Sequence, residues 1–588
     1  MWNIQNIKLI LILCIVGLLA LLIHRWDDKY HPVSQSTAQT ASLAPDLQIN
    51  NQANNSESNS PTSNQELSGT TPFSETSNLN NASEQLDKKF YASGQIITVK
   101  TDLMTAEINL DGGNLVQTAL LKYPVSTQDK TPVNLLNTQA NSFYIAQSGL
   151  VGQGLPTDSP LIFKSTQTQY IQTPGQSLTV NLIYQNSNGL QITKQYIFEP
   201  GHYLIKVNYL IHNSSKTPWE GRFYGQLLRV PPVSENHNIL MSYSTFTGVA
   251  YSAIDTRYSK LSFKNLAENN LKELTTGGWV SMVQHYFISA WIPQANQNNL
   301  LYSRQFEDNI YAVGIASPTM TVPSGATAST GASLYVGPTL SDQLKAAAPN
   351  LNLTVDYGWL WFISELLFWL MIHIQQYVGN WGLAIIAVTI VIKLVFYPLS
   401  AKSFRSMAKM RMLQPKLQEL KQRCGDDRQA MGKATMELYQ KEKVNPLSGC
   451  LPILIQIPVF IALYWMLMAS VELRQAPFIF WIKDLSLRDP YFVLPILMGL
   501  AMFAQQRLNP APADPTQAKV MMFLPVIFTL LFMGFPAGLV LYWIVNTGVG
   551  ILQQWYVLRK VEKESAQQAL KKHEKNQNQK HERNGHKK

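Results

Sequence analysis

The chain reads as a polytopic α-helical membrane protein of six spans that carries a large all-β sandwich outside the membrane. Apolar runs of spanning length recur through the last two hundred or so residues. Before them, about 250 residues alternate in short strand-like runs broken by turn residues. Lys and Arg gather in alternate loops between the apolar runs. The whole chain of 588 residues is 46% hydrophobic, only 14% charged, and carries a formal net charge of +10. That length exceeds one ordinary domain, so at least two units are expected. Cys14, Cys424 and Cys450 are too few and too far apart for a disulfide framework.

Residues 1–26 form a transmembrane anchor. Leu11-Ile12-Leu13-Cys14 loosely resembles a lipidation signal, but Leu13 is large where a small residue is needed. The run continues to Ile23 without a small-x-small cleavage site, so the anchor is retained. Residues 27–89 are dominated by Ser, Thr, Asn and Gln and cannot bury enough apolar surface to fold, which makes them a disordered linker.

Residues 90–347 make the β-sandwich domain. Leu178–Tyr184 and Leu190–Tyr196 flank Asn186-Ser187-Asn188-Gly189 and read as a hairpin. Tyr203–Tyr209 is a further strand. His202, His212, His237 and His285 are scattered among aromatics and make no ligand set. The Trp and Tyr residues read as core before they read as a carbohydrate platform.

Five further spans are expected near Leu383–Leu399, Leu451–Met468, Tyr491–Leu508, Val520–Phe535 and Gly538–Val557, within a core at 379–558. The loop at 400–444 holds eleven Lys and Arg against five acidic residues, and the tail at 559–588 is also basic. With six spans, both lie in the cytoplasm beside both termini, and the β domain lies outside. The Trp-rich segment 357–378 could pass for a seventh span, but that would move one basic region outside. It is read as a helix in the outer interface, breaking at Gly379-Asn380.

Lys393 lies inside the second span, and the other five spans offer no Asp or Glu to pair with it. A cation in hydrocarbon is costly and usually functional; the alternative is a side chain that snorkels to the nearby cytoplasmic face. Thr389, Gln456, Gln505, Gln506, Asn546, Gln553 and Gln554 could line a wet groove with it, although each alone is also an ordinary helix–helix hydrogen-bonding residue. Pro458 and four other prolines loosen these helices. The loop at 400–444 is a helical hairpin turning at Gly425-Asp426-Asp427, with Met407, Met410 and Met412 on one side. Those methionines serve either ordinary packing or an adaptable surface for varied clients. The basic tail suits an anionic partner, lipid headgroups or ribosomal RNA, or is simply solvated. His581 and His586 are spaced five apart, not four, so they form no zinc-protease motif, and no phosphate-binding glycine loop occurs.

Four runs carry a resemblance: Thr354–Phe362, Met407–Lys416, Lys443–Leu447 and Val471–Phe478, with Gly277-Gly278-Trp279-Val280 in the β domain. On these the chain resembles the YidC insertases of Gram-negative bacteria over nearly its whole length. The resemblance implies a β-supersandwich in the periplasm and a five-span core forming a groove open to the cytoplasm and the lipid of the inner membrane. It implies action as an insertase and chaperone, alone or beside the Sec translocon, with nascent membrane proteins as clients and the ribosome and membrane lipids as further partners. No DNA partner, cofactor, metal or catalytic residue is expected. The family's groove cation is usually arginine; here it is Lys393, which keeps the charge without the planar fork. A client segment would leave along the third and fifth spans, near Ile457-Pro458 and Phe523–Phe528. The rival reading is a transporter with a periplasmic receptor domain, which should show paired ionisable groups and repeated halves; neither is present.

Overall fold

The computed structural model describes residue 91 and residues 93–585, apart from 157–158, 233–245, 307–308, 426, 443, 446–450 and 511–514. The expected anchor (1–26) and linker (27–89) lie outside the described residues. The rest divides into two compact units, one made mainly of residues up to Thr354 and the other of residues from Val355 onward.

The first unit is a β-sandwich of an eleven-stranded and a nine-stranded sheet. Its strands alternate between core and solvent because successive side chains point to opposite faces. Leu190–Phe198 shows this plainly: Leu190, Ile192, Lys194, Tyr196 and Phe198 are buried and the residues between them are half-exposed. It pairs antiparallel with Leu178–Gln185. The turn between them is held by Asn186, whose side-chain oxygen accepts from the Asn188 and Leu190 amides at 3.0 and 2.8 Å. The next strand, Leu204–Asn213, continues the same sheet. Aromatic pairs such as Tyr209–Phe223 and Phe223–Trp291 bind sheet to sheet. Trp291 fits because Gly225 faces it: a Cβ there would lie 2.8 Å from the indole. Two short helices, α1 (Phe263–Glu268) and α2 (Ser341–Ala347), complete the unit.

The second unit is helical. α3 (Trp361–Val378) ends at Gly379, whose φ of +71° caps it, and Asn380 then caps α4 (Trp381–Val395) by accepting from the Leu383 amide. α5 (Tyr397–Met412), α6 (Gln414–Cys424) and α7 (Arg428–Lys441) form the hairpin region. α8 (Leu451–Ala469), α9 (Val493–Leu508), α10 (Pro515–Phe532) and α11 (Ala537–Gly585) follow. At one end of the unit the starts of α4, α9 and α11 meet the loop that follows α8. Asn380 donates to Pro477 and Phe478 carbonyls, Asp489 accepts from the Leu494 amide, and the Ala537 and Gly538 amides donate to Leu487 and Leu485.

Two expected boundaries move. The span expected at Leu383–Leu399 stops at Val395, and Pro398 sits in the first turn of the next helix, α5, after a 67° bend. Pro398 has no amide proton to continue α4. The helix expected to end near Val557 runs on to Gly585, because no Gly or Pro follows Val557 before that residue. No single described helix is long and apolar enough to cross a membrane by itself; α4 and α5 meet that length and composition only together. At about 1.5 Å per residue α4 alone falls short of a bilayer core of about 30 Å.

Candidate functional site

The site is built on the inward stripe of α4. Gly382, Ile385, Val388, Thr389, Ile392 and Lys393 are buried at helical spacing, while Leu383, Ile390, Val391, Leu394 and Val395 face outward. The 3.6-residue period therefore turns Lys393 toward the neighbouring helices, where it is 7% exposed. Its place in the last turn sets an ammonium at the negative end of the helix dipole.

Its neighbours on α9 and α11 include the amides of Gln505 and Gln553. The Lys393 ammonium makes no hydrogen bond or ion pair with a described residue. Gly550 of α11 leaves the room: a Cβ there would lie 3.4 Å from Gln505 Nε2 and 3.6 Å from Lys393 Nζ. Gln553 of α11 donates to the Lys393 carbonyl at 3.2 Å, and Gln554 donates to the Asn509 side chain at 3.0 Å. The oxygens of Gln506, Gln553 and Gln554 are buried without a hydrogen-bond partner among the described residues. Among the described residues, α4 thus carries a buried donor without an acceptor, and α9 and α11 carry three buried acceptors without donors. Such groups carry a full desolvation penalty unless water or a visiting polar segment meets them.

The structure sorts the other expected residues. Gln456 of α8 donates to Asn546 of α11 at 2.8 Å, so this pair bridges two helices. Thr389 shares the buried stripe of Lys393, but its hydroxyl donates to the Ile385 carbonyl at 2.7 Å and is spent on its own helix. Ile457 is 44% exposed beside Pro458, which interrupts the hydrogen bonding of α8. On α10, Val520, Met521, Met522, Phe523, Val526 and Ile527 are all exposed. A helix apolar on nearly every side calls for an apolar solvent.

These geometries meet clear relatives. Residues 96–370 match the family described as YidC periplasmic domain, and residues 373–564 match the family described as 60Kd inner membrane protein. The membrane protein insertase YidC of Coxiella burnetii (strain Dugway 5J108-111) is 50% identical over 480 residues, covering 80% of this chain and 84% of that protein. Its counterpart in Legionella pneumophila (strain Paris) is 51% identical, covering 81% and 86%. That of Hahella chejuensis is 44% identical over 565 residues, covering 93% and 97%. The chain belongs to the YidC insertase family.

The hairpin region of this YidC-family chain uses its methionines unevenly. Met407 packs against a cluster of Phe404, Ala408, Val557, Leu558 and Val561, which joins α5 to α11. Met410 is buried with Leu413 and Val444. Met412 is 40% exposed and receives a hydrogen bond from Ser565. Packing thus takes Met410 fully and Met407 in part, while Met412 keeps a free face. Asp427 caps α7 by accepting from the Gln429 and Ala430 amides; Asp426 lies outside the described residues. The tip beyond Cys424 turns at Gly425, where φ is +54° and nothing crowds the backbone.

Gly550 escaped sequence reasoning. Its signal was present, a glycine on the face of the last span that also carries Asn546 and Gln553, but only the packed helices show which cation it faces.

Proposed function

We propose that the chain integrates proteins into the inner membrane, and helps them fold, through a hydrophilic groove centred on Lys393. The observation that carries this reading is the buried Lys393 ammonium, without a hydrogen-bond partner among the described residues and facing Gln505 across Gly550, in a helical unit whose outer faces are apolar. The reading places six spans in the membrane: the anchor at 1–26, then α4, α8, α9, α10 and the first part of α11. It places the β unit in the periplasm, with both termini and the hairpin at 400–444 in the cytoplasm, as the cationic loops favour. α3 lies in the outer interface with Phe362, Leu366 and Trp369 exposed along it.

An incoming protein's polar tail enters the groove, its acidic groups drawn by Lys393 and its amides met by Gln505, Gln506 and Gln553. Wetting this half of the path shortens the purely apolar distance the tail must cross. The client's apolar segment then passes into lipid along α8, at Ile457 and Pro458, and α10. No bond is made or broken, so no catalytic residue is required. The basic tail serves the ribosome or anionic lipids, and the Sec translocon is a working partner for larger clients.

Depletion of the protein in its host, followed by protease protection of small inner-membrane proteins, tests this. Short-tailed clients should fail to insert, and Lys393→Ala should restore them poorly, worst where the translocated tail is acidic. Equal insertion by Lys393→Ala would sink the groove mechanism.

A further inference from the structure

The loop joining α8 to α9 is built unlike a solvent loop. Its acidic residues are turned inward and used up. Asp489 is 1% exposed and accepts from Trp481 Nε1 and from the Tyr491 and Leu494 amides at 2.9, 3.0 and 2.7 Å. Asp484 is 9% exposed and accepts from the Ser486 amide and hydroxyl. What remains outside is of two kinds only. Between 477 and 491 the exposed side chains are Ile479, Phe480, Leu487 and Tyr491, the cations Lys483 and Arg488, and two prolines. No carboxylate, amide or hydroxyl-only side chain is exposed in this stretch.

The most exposed of the large apolar residues in this stretch is also the strained one. Phe480 is 85% exposed at a φ of +53°, a region where Gly, Asn or Asp is usual and an aromatic is rare. It occupies a tight turn closed by the Phe478 amide on the Ile482 carbonyl and the Ile482 amide on the Ile479 carbonyl. The turn is anchored to the rest of the unit. Phe478 packs on Gly382 of α4, where a Cβ would meet its ring at 2.1 Å, and Asn380 holds the Pro477 and Phe478 carbonyls. The backbone at Leu485 and Leu487 is tied to the start of α11. A rigid turn therefore holds Ile479 and Phe480 outward, and two cations are exposed in the same loop.

We propose that this loop is a wedge for an anionic phospholipid surface. Ile479 and Phe480 enter the acyl region of the outer leaflet, and Lys483 and Arg488 meet phosphate groups. Charge complementarity selects this occupant: burying both carboxylates leaves an exposed surface of two positive and no negative charges among apolar groups. The wedge fixes the end of the unit where α4, α9 and α11 begin, so these helices keep a set depth beside the groove. It rests on the reading that the helical unit lies in a membrane.

The test uses the full chain with its cysteines replaced, reconstituted in phosphatidylethanolamine–phosphatidylglycerol bilayers. Nitroxide labels are placed one at a time at F480C, I479C, S486C and, as a membrane reference, I527C on α10. The expected result is that labels at 480 and 479 are relaxed by oxygen and shielded from a water-soluble nickel chelate, severalfold more so than at 486. The variant K483Q with R488Q should lose the preference for spin-labelled phosphatidylglycerol over phosphatidylcholine in the lipid shell. Nickel-accessible labels at both 479 and 480, with 527 still in lipid, overturn the wedge and leave the membrane reading standing. Labels shielded from both reagents indicate a protein occupant and overturn it too. Nickel access at 527 as well defeats the membrane reading itself.

Discussion

Among the described residues, each unit buries one lysine without an ion-pair partner, and the two are treated in opposite ways. Lys194 in the sandwich is 0% exposed, yet its amine donates to the Ser148 and Gly112 carbonyls at 3.0 and 3.3 Å. The rings of Tyr196 and Tyr209 lie 5.2 and 5.3 Å from it. Lys393 in the helical unit is 7% exposed and has no such partner among the described residues. Burial alone therefore does not mark a functional cation. A buried amine hydrogen-bonded to carbonyls is a strut between sheets, whereas one left without such a partner is open to something that arrives.

The comparison breaks most sharply at Lys393. Lys393→Glu sets a negative charge where the proposal needs a positive one, and should lower insertion of clients with acidic tails more than tenfold, the scale of a change of about 1.4 kcal/mol or more. Protease-protection rates for paired clients with acidic and neutral tails measure it. An equal loss for both kinds would mean that the variant merely damages the fold. Lys393→Arg keeps the charge and should change insertion less than twofold, which separates charge from fork geometry.

Lys194→Ala should do the reverse, leaving insertion largely intact while destabilising the sandwich by about 3 kcal/mol. That figure combines the cavity left by a long side chain with two stranded carbonyls. Urea unfolding of the chain, followed by hydrogen exchange in residues 190–198, reads it. If insertion collapses along with stability, the two units are not energetically separate in the way the comparison requires.

How much of this the sequence could tell depended on the range of the interaction. The hairpin at Asn186–Gly189 and the break at Gly379-Asn380 were legible because turn chemistry is local. Lys194 was equally legible in principle, since it occupies the inward register of Leu190, Ile192, Tyr196 and Phe198, but a lysine in an alternating strand is easily read as a surface residue. Lys393 stood out because hydrocarbon has no ordinary use for it. The spent hydroxyl of Thr389, the burial of Met410, the part-burial of Met407 and the unpartnered oxygens of Gln506, Gln553 and Gln554 were not legible. They depend on rotamers and on how the helices are set against each other, which no single-segment pattern encodes.

A subtler effect separates the lysines by pH. Desolvation holds the Lys194 amine well below the ordinary lysine range in the folded sandwich. In the unfolded chain it titrates near 10.4, about its ordinary value. Between those two values the unfolded chain binds the extra proton, so stability rises with pH, by at most about 1.4 kcal/mol per unit, and levels off above the unfolded value. Below the folded value the full penalty is present and the slope vanishes. Lys194→Met keeps the volume but cannot titrate, so the difference in urea midpoint between wild type and variant should shift in favour of wild type as pH rises from 7 to 9.5. Staying below 10 keeps the buried tyrosines, which burial pushes upward, out of the measurement. A difference independent of pH would show that Lys194 stays charged in the fold.

The smallest effect sharpens the account of Lys393 itself. If Thr389 lined the groove as a free donor, removing its hydroxyl would weaken insertion in the same client-dependent way as Lys393→Ala. Its hydroxyl instead donates to Ile385 at 2.7 Å within α4, at 1% exposure. Thr389→Val keeps the branched shape and loses only that bond, whose removal leaves the Ile385 carbonyl with its helical partner. Insertion of acidic-tailed clients should therefore fall less than twofold, with no difference between acidic and neutral tails. A selective loss for acidic tails would return Thr389 to the groove and show that the α4 stripe, not Lys393 alone, receives the client.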